Sequence, residues 1–180
     1  LGLETYEVVR LGHPTQGQAE TVYLGLEQLA HSLQEPLTIF NIDTIRPDFM
    51  KPESKTFEKA DGYLEVFTAP GHHWSFVLPE APGSTKVKMT AEKKRISELC
   101  STGLYYFKET RYFLNSFLHA KKTGSTVRNE FYVAPLYNHL IHQGKNILYR
   151  LISHSKIIFC GTPEEYEQAR SIHANEKKRE

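Results

Sequence analysis

The spacing of hydrophobic and polar residues changes several times along the chain, and each change predicts a different secondary-structure element. A nearly continuous apolar run covers residues 36–42 and ends at Asp43, after which the turn-forming residues 44–48 follow. Such a run predicts a strand buried on both faces, as in parallel sheets. Ligands of open α/β sheets bind beyond the carboxyl ends of the strands, which makes Asp43 a candidate metal-binding carboxylate. The local pattern also fits an aspartate that only caps the turn.

The residues before this run predict a strand, a loop and a helix. Residues 1–11 alternate as a strand does and show neither an initiator methionine nor a signal-peptide pattern, so we expect the chain to begin inside a domain. After the polar loop at 12–17, apolar residues recur at helical spacing: Ala19, Val22, Tyr23, Leu26, Leu29 and Ala30. Together with the strand at 36–43 these segments form a predicted βαβ unit. Thr15, Gly17 and Gln18 then lie at a helix N-terminus, where they either bind a phosphate or a base carbonyl or simply cap the helix.

The middle and the C-terminal part alternate differently. Short strands are predicted at residues 62–68, 74–78, 86–90 and 102–107, with Pro- and Gly-bearing turns between them that favour mixed or antiparallel pairing. Two amphipathic helices follow, around residues 112–118 and 132–141, and then strands at 146–151 and 156–160. Thr162 is the predicted N-cap of a last helix. We expect one α/β domain over residues 1–170 and a frayed tail at 171–180.

Composition limits the classes of partner. The 180 residues carry a net charge of +1 and no apolar run near the roughly 20 residues that span a bilayer, so we expect neither nucleic-acid nor membrane binding. Cys100 and Cys160 lack the spacing of a metal knuckle and read as reduced thiols, which predicts a cytoplasmic protein. A homo-oligomer is compatible with these observations.

The ordered segments resemble a known family. They are residues 15–21, the strand that ends at Asp43, residues 74–76, Glu92-Lys93, residues 101–107 and residues 161–166. In this order they resemble the sugar-phosphate nucleotidyltransferases, the nucleoside-diphosphate-sugar pyrophosphorylases of bacterial capsule and lipopolysaccharide biosynthesis. The resemblance implies a three-layer, Rossmann-like (GT-A-like) α/β fold with a mixed, mainly parallel central sheet whose N-terminal part is missing.

The resemblance also implies a reaction. A sugar 1-phosphate attacks the α-phosphorus of a nucleoside triphosphate, displaces pyrophosphate and yields an activated sugar for surface polysaccharides. Mg²⁺ is the expected cofactor, and Asp43 matches the family's metal carboxylate. Asp43 and Lys93 are therefore the expected catalytic residues.

The other site residues are carried over from the same family. Thr15, Gly17 and Gln18 match the nucleotide-binding segment, with Gly17 beside the base. In the family, the residues that bind the sugar phosphate cover the sugar, accept hydrogen bonds from its hydroxyls, neutralise its phosphate or form the back of its pocket. The residues of this chain that match them are Trp74, Ser75, Glu92, Lys93, Thr102, Gly103 and Tyr105.

Two departures from the family pattern qualify the expected activity. The Gly-rich phosphate loop is expected before residue 1, so this fragment alone is expected to be inactive. The family's second metal carboxylate aligns with Phe159, which leaves Asp48 or a neighbour, or substrate phosphates and water, to complete the coordination. A degenerate module that only binds nucleotide or sugar phosphate is therefore an alternative, as is transfer to a non-sugar acceptor such as choline phosphate. The nucleobase is not identified.

Overall fold

The structure is a computed structural model that describes residues 5–30, 32–47, 49–52 and 55–176. Its helices are α1 (Gln18–Leu26), α2 (Lys55–Glu58), α3 (Thr110–Thr123), α4 (Val133–His142) and α5 (Pro163–Glu176). Its strands are β1 (Leu37–Ile39), β2 (Thr44–Ile45), β3 (Gly62–Thr68), β4 (Ser75–Pro79), β5 (Val87–Glu92), β6 (Leu99–Phe107), β7 (Ile147–Leu151) and β8 (Ile158–Phe159). A short 3₁₀ helix covers His154–Lys156. None of the described helices is long and apolar enough to cross a bilayer.

Six strands form a mixed sheet in the order β5-β4-β6-β3-β7, with β1 also paired to β6. The mixed α/β fold predicted from the sequence is confirmed, and β3 coincides with its predicted range. The described part of the sheet is not mainly parallel, however, because β3 with β7 is its parallel pair and the other pairings are antiparallel. Strands β4 and β5 follow one another through a short turn and pair antiparallel, whereas β6 pairs antiparallel with β1, β3 and β4, which are its neighbours in the sheet but do not directly precede it in the chain.

Two predictions near the N-terminus are wrong. Residues 5–11 contain no strand, so the described residues hold no complete βαβ unit. The run that ends at Asp43 is not a strand buried on both faces, since β1 covers only Leu37–Ile39, exposes Thr38 and pairs antiparallel with β6. Apolar composition alone did not distinguish this half-buried strand from a buried one.

Strand β6 is the centre of the sheet, and one of its edges is shared by two other strands. One edge of β6 pairs with β3 near both ends of β6, between Leu99 and Phe107. On the opposite edge β4 pairs at Cys100, whereas β1 pairs from Tyr105 to Phe107. Within the described residues, neither strand pairs with the edge between Cys100 and Tyr105. The sheet therefore has an opening where β1 ends and β4 begins.

Gly103 lies in this opening and lets another side chain cross it. Its φ of +87° lies in the left-handed region, and a Cβ atom at this position would lie 2.5 Å from Cγ and Nδ2 of Asn41. Only glycine combines that backbone angle with so close a neighbour. The absence of a side chain at residue 103 thus allows the Asn41 amide to lie against β6.

The two faces of the sheet are covered differently. Helices α3 and α4 form the main core on one face, and the buried Tyr137 hydroxyl donates to the carbonyls of Tyr63 (3.2 Å) and Tyr106 (2.9 Å). A smaller cluster around Phe67 and Phe76 includes the partly buried Phe159. Helices packed on a sheet in this way bury the apolar stripes that the sequence predicts.

The C-terminal elements follow the prediction with two changes. The strand predicted at 156–160 is shorter, because the 3₁₀ helix precedes the two-residue strand β8, which pairs antiparallel with β2. Helix α5 continues past residue 170, the predicted domain boundary, to Glu176. Residues 177–180 lie outside the described part of the chain.

We expect Gly103→Ala to destabilise the protein by about 2–4 kcal/mol, because it combines left-handed strain with overpacking against Asn41. Gly83→Ala is the matched control, since Gly83 also has a positive φ but nothing within 4 Å of the added Cβ. The control is expected to lose about 1 kcal/mol, from strain alone. Urea denaturation measures both losses, and equal losses would contradict the close contact with Asn41.

Candidate active site

A cavity of about 720 Å³ lies at the opening in the sheet. Its walls come from the start of α1, the end of β1, the start of β4, the unpaired part of β6 and the β2–β8 pair. Residues predicted for the site that line it are Gln18, Asp43, Trp74, Ser75, Glu92, Thr102, Gly103 and Tyr105. A crevice where the strands of a sheet diverge is a common position for a ligand site in α/β proteins. Residues from distant parts of the sequence thus meet in one cavity.

One wall carries two side-chain amides. Gln18 Nε2 donates to Asn41 Oδ1 over 2.5 Å, and both residues line the cavity. This bond leaves the Gln18 carbonyl as an acceptor and the Asn41 NH₂ group as a donor. The pair can therefore meet a ligand that has both kinds of hydrogen-bonding group on one edge, as a nucleobase has. Sequence analysis did not identify Asn41, because its role depends on the contact with β6.

Thr15 and Gly17, the other predicted nucleotide-binding residues, lie behind this wall. Thr15 Oγ1 is 2.6 Å from Thr21 Oγ1, and Thr21 lines the cavity. A Cβ at Gly17 would lie 2.7 Å from the carbonyl oxygen of Phe131, which also accepts the N–H of Ala19 at 3.0 Å. The glycine at position 17 therefore serves the packing of α1 against the segment before α4, and its contact with a base stays a prediction.

A buried carboxylate forms the opposite part of the cavity. Glu92 is 8% exposed and accepts a hydrogen bond from Ser75 Oγ, which also lies 3.5 Å from the Tyr105 hydroxyl. Burial raises the pKa of Glu92, while the Ser75 hydrogen bond and the charge of Lys93 act in the opposite direction. Burial also raises the pKa of Tyr105, which keeps its hydroxyl protonated. These three side chains present the donors and acceptors that a hydroxylated ligand requires.

Lys93 does not itself line the cavity but contacts Tyr132, an aromatic residue that does. Its ammonium donates to the hydroxyl of Tyr132, which lines the cavity, and lies 4.5 Å from the centre of that ring. The Lys93 backbone has a φ of +53° and donates its N–H to the Trp74 carbonyl at 2.9 Å. The bent backbone thus directs the adjacent Glu92 and Lys93 to separate contacts.

Asp43 lies at the other end of the cavity with an exposed carboxylate. Its carbonyl accepts the N–H of Cys160 at 2.9 Å, which joins it to the chain after β8. Asp43 Oδ2 and Glu165 Oε2 lie 3.0 and 3.7 Å from the point where a Gly161 side chain would begin. A side chain at residue 161 would therefore crowd the Asp43 carboxylate, while that of Glu165 would lie at an ordinary contact distance.

Glu165 is a cavity residue whose position follows from a capping box. Its Oε2 accepts the N–H groups of Gly161 (3.1 Å) and Thr162 (3.0 Å), and Thr162 Oγ1 accepts the N–H of Glu165 at 3.2 Å. These bonds confirm Thr162 as the N-cap of α5. The Thr-x-x-Glu spacing is the sequence signal that could have indicated Glu165 as well.

Phe159 forms an apolar wall between these groups. Its ring centre lies 5.2 Å from that of Phe67 and 5.1 Å from that of Trp74, and both Phe159 and Trp74 line the cavity. The residue that the resemblance aligns with the family's second carboxylate is thus part of an aromatic cluster. Asp48, the substitute suggested by the sequence, lies outside the described residues.

Comparison with solved structures confirms the resemblance seen in the sequence. A nucleoside-diphosphate-sugar pyrophosphorylase from Vibrio cholerae RC9 is 50% identical over 88% of this chain, with a TM-score of 0.82. The chain is similar in sequence and in fold to this pyrophosphorylase. It covers 66% of the Vibrio protein, just under two thirds of its length. No protein-family model matches the chain, and no curated protein does.

Two more distant structures share the fold of this chain. A Bacillus anthracis protein named as a glucose-1-phosphate thymidylyltransferase has 16% identity and a TM-score of 0.68 over 91% of this chain and 63% of its own. The inositol-1-phosphate CTP transferase from T. maritima has 10% identity and a TM-score of 0.56 over 83% and 58%. At these identities the comparison supports the fold.

The chain offers oxygen ligands that suit a hard metal ion. Mg²⁺ in such sites is held by one or two carboxylates together with substrate phosphates and water. Asp43 supplies one exposed carboxylate, with Glu165 beside it, whereas no group of three His, Cys, Asp or Glu among the described residues could hold an ion unaided. The donor set therefore fits Mg²⁺ that arrives with a phosphate ligand.

The buried Glu92 predicts a pH dependence of stability. Because its pKa is raised in the folded protein, the folded state binds the proton more tightly than the unfolded state does. We expect the free energy of unfolding to fall as pH rises from the ordinary value of 4.5 through the higher folded value. Glu92→Gln should lack this part of the fall, as measured by urea denaturation between about pH 4 and about pH 8. Glu80→Gln, at an exposed glutamate, should keep the wild-type slope, and an unchanged slope in Glu92→Gln would refute the assignment.

Proposed function

We propose that the full-length protein transfers a nucleotidyl group from a nucleoside triphosphate to a sugar 1-phosphate, with Mg²⁺, and releases pyrophosphate. The observation that carries the proposal is the single cavity at the opening beside β6. It combines the amides of Gln18 and Asn41, the carboxylate of Asp43 and the buried carboxylate of Glu92. The 50% identity to a nucleoside-diphosphate-sugar pyrophosphorylase supports the same reaction. An activated sugar for surface polysaccharides is the proposed product.

The residues suggest how the two substrates are placed. The base would lie against Gln18 and Asn41, whose amides can match its polar edge. The sugar hydroxyls would lie against Glu92, Ser75 and Tyr105. The phosphates then meet between these two groups, which places the attacking oxygen near the α-phosphorus and lowers the entropic part of the barrier.

Charge neutralisation is the second requirement, because both substrates are anionic. The described residues that line the cavity include four carboxylates and no Lys or Arg: Asp43, Glu92, Glu130 and Glu165. Lys93 is the nearby cation, placed behind Tyr132. Bound Mg²⁺, held by Asp43 with Glu165 beside it, would neutralise phosphate charge. The resemblance assigns further cationic residues to the family's phosphate loop, expected before residue 1.

One observation favours a second candidate function. The resemblance aligns Phe159 with the family's second metal carboxylate, and the Phe159 ring packs against Trp74. A degenerate domain that binds nucleotide or sugar phosphate without transfer would tolerate this change. Transfer to a non-sugar acceptor, such as choline phosphate, also remains open, because Glu92 and the aromatic wall of Trp74 and Phe159 are not limited to sugars.

The proposed reaction predicts that the full-length protein releases pyrophosphate when both substrates are present. The assay combines Mg²⁺, each common nucleoside triphosphate and a panel of sugar 1-phosphates together with choline phosphate. Release that requires both substrates supports transfer, and the productive acceptor identifies its class. Nucleotide binding by calorimetry without release from any pair would instead support the degenerate module.

Asp43→Asn is expected to lower the turnover of the full-length protein by about a hundredfold or more, because the amide removes the negative charge offered to Mg²⁺. Its stability should change little, since the Asp43 carboxylate is exposed. Glu80→Gln is the control, because this exposed glutamate pairs with the exposed Lys86 and does not line the cavity. Near-normal turnover in Asp43→Asn would remove Asp43 from the mechanism.

A further inference from the structure

A buried ion pair lies directly behind the Asp43 end of the cavity. Arg46 Nε is 2.6 Å from Glu65 Oε1, and Arg46 Nη2 is 3.2 Å from Glu65 Oε2. The side chains of Arg46 and Glu65 are 4% and 1% exposed. Two parallel bonds between a guanidinium and a carboxylate give the strongest and most directional form of this contact. Glu65 lies on β3, which pairs with both β6 and β7, so Arg46 is attached to an inner strand of the sheet.

The same guanidinium holds the second strand of the β2–β8 pair. Arg46 Nη1 donates to the carbonyl of Lys156 over 2.6 Å and to that of Pro47 over 3.3 Å. Arg46 follows β2 and is three residues after Asp43, whereas Lys156 precedes β8. One side chain thus joins both strands of the pair to β3.

The β2–β8 pair needs such an attachment. Each of its strands has two residues, and the sheet it forms is separate from the central sheet. Isolated two-stranded ribbons are at best marginally stable in water. The positions of Asp43 and of the loop with Gly161 therefore depend on what links the pair to the rest of the domain.

We propose that Arg46 and Glu65 are positioning residues that hold Asp43 and the Gly161 loop in the geometry used to bind a divalent cation. The inference rests on the proposed function, in which Asp43 binds the metal. Glu65 also accepts a hydrogen bond from Thr102 Oγ1 over 3.4 Å, and Thr102 lines the cavity. The ion pair thus joins the metal end of the cavity to the residues beside Gly103.

Stability alone does not account for this pair. Replacing a buried ion pair by apolar residues of similar size is often neutral or stabilising, whereas removing one partner is strongly destabilising. The double variant Arg46→Met/Glu65→Leu should therefore keep the stability of the fold and lose the link to Lys156. Arg46→Lys keeps the charge but lacks the planar fork that reaches Glu65 and Lys156 together.

The test uses the full-length protein and Mn²⁺ as the probe. Amide hydrogen exchange of Cys160, whose N–H bonds to the Asp43 carbonyl, measures how well the two strands stay paired, which is what the proposed role of Arg46 in joining both strands to β3 would maintain. Broadening of the Gly161 amide resonance by Mn²⁺ measures cation binding at Asp43. We expect both variants to show exchange at Cys160 that is about tenfold faster. Both should also need about tenfold more Mn²⁺ for half-maximal broadening.

Tyr137→Phe is the control for stability. It removes the buried hydroxyl that bonds to Tyr63 and Tyr106 but leaves the cavity and the β2–β8 pair untouched. We expect this variant to lose stability while it keeps wild-type exchange at Cys160 and wild-type Mn²⁺ broadening. If a general loss of stability were the cause, exchange at Cys160 and Mn²⁺ broadening would change in every variant, Tyr137→Phe included, in proportion to its loss of unfolding free energy. That result would overturn the proposal.

The two readouts separate the two hypotheses. Wild-type exchange at Cys160 in a folded double variant would refute the positioning role. If the double variant does not fold, Arg46→Lys decides by the same criterion. Failure of Mn²⁺ to broaden the Gly161 resonance in the wild-type protein would contradict the metal site of the proposed function, while exchange at Cys160 still tests the attachment.

Discussion

Two strands share one edge of β6, and the rest of the site depends on that constraint. Since β4 pairs at Cys100 and β1 at Tyr105, the edge between them is left for side chains and ligand. Asn41 reaches this segment only because residue 103 is a glycine. The cavity is thus a consequence of strand pairing. Its polar groups come from residues at or near the ends of the strands that this pairing brings together.

The sequence predicted the elements whose signals are local. Pro- and Gly-bearing turns separate β3, β4 and β5, and Thr162 with Pro163 marks the start of α5, so turn and cap chemistry were sufficient there. Residues 5–11 show the limit of this reasoning, because alternation indicates a strand only where a partner strand provides hydrogen bonds. The half-buried β1 shows a different limit, because apolar composition alone does not distinguish it from a strand buried on both faces.

The site was partly predictable for a related reason. The resemblance selected Asp43, Glu92 and Gly103, and all three line the cavity. It did not select Asn41, or the pair of Arg46 and Glu65, because these residues act through contacts between segments far apart in sequence. Gly17 was selected by the resemblance as a ligand residue, but its positive φ and its close contact with the Phe131 backbone already explain why a glycine is needed there.

The central claim is that one cavity beside β6 holds the nucleotide and the acceptor phosphate together. A crystal structure of the full-length protein with Mg²⁺ and the nucleoside-diphosphate product tests it most directly. The account predicts the base against Gln18 and Asn41, a metal ion on Asp43 and the acceptor group against Glu92. A product bound outside this cavity, or a metal ion that Asp43 does not contact, would contradict it.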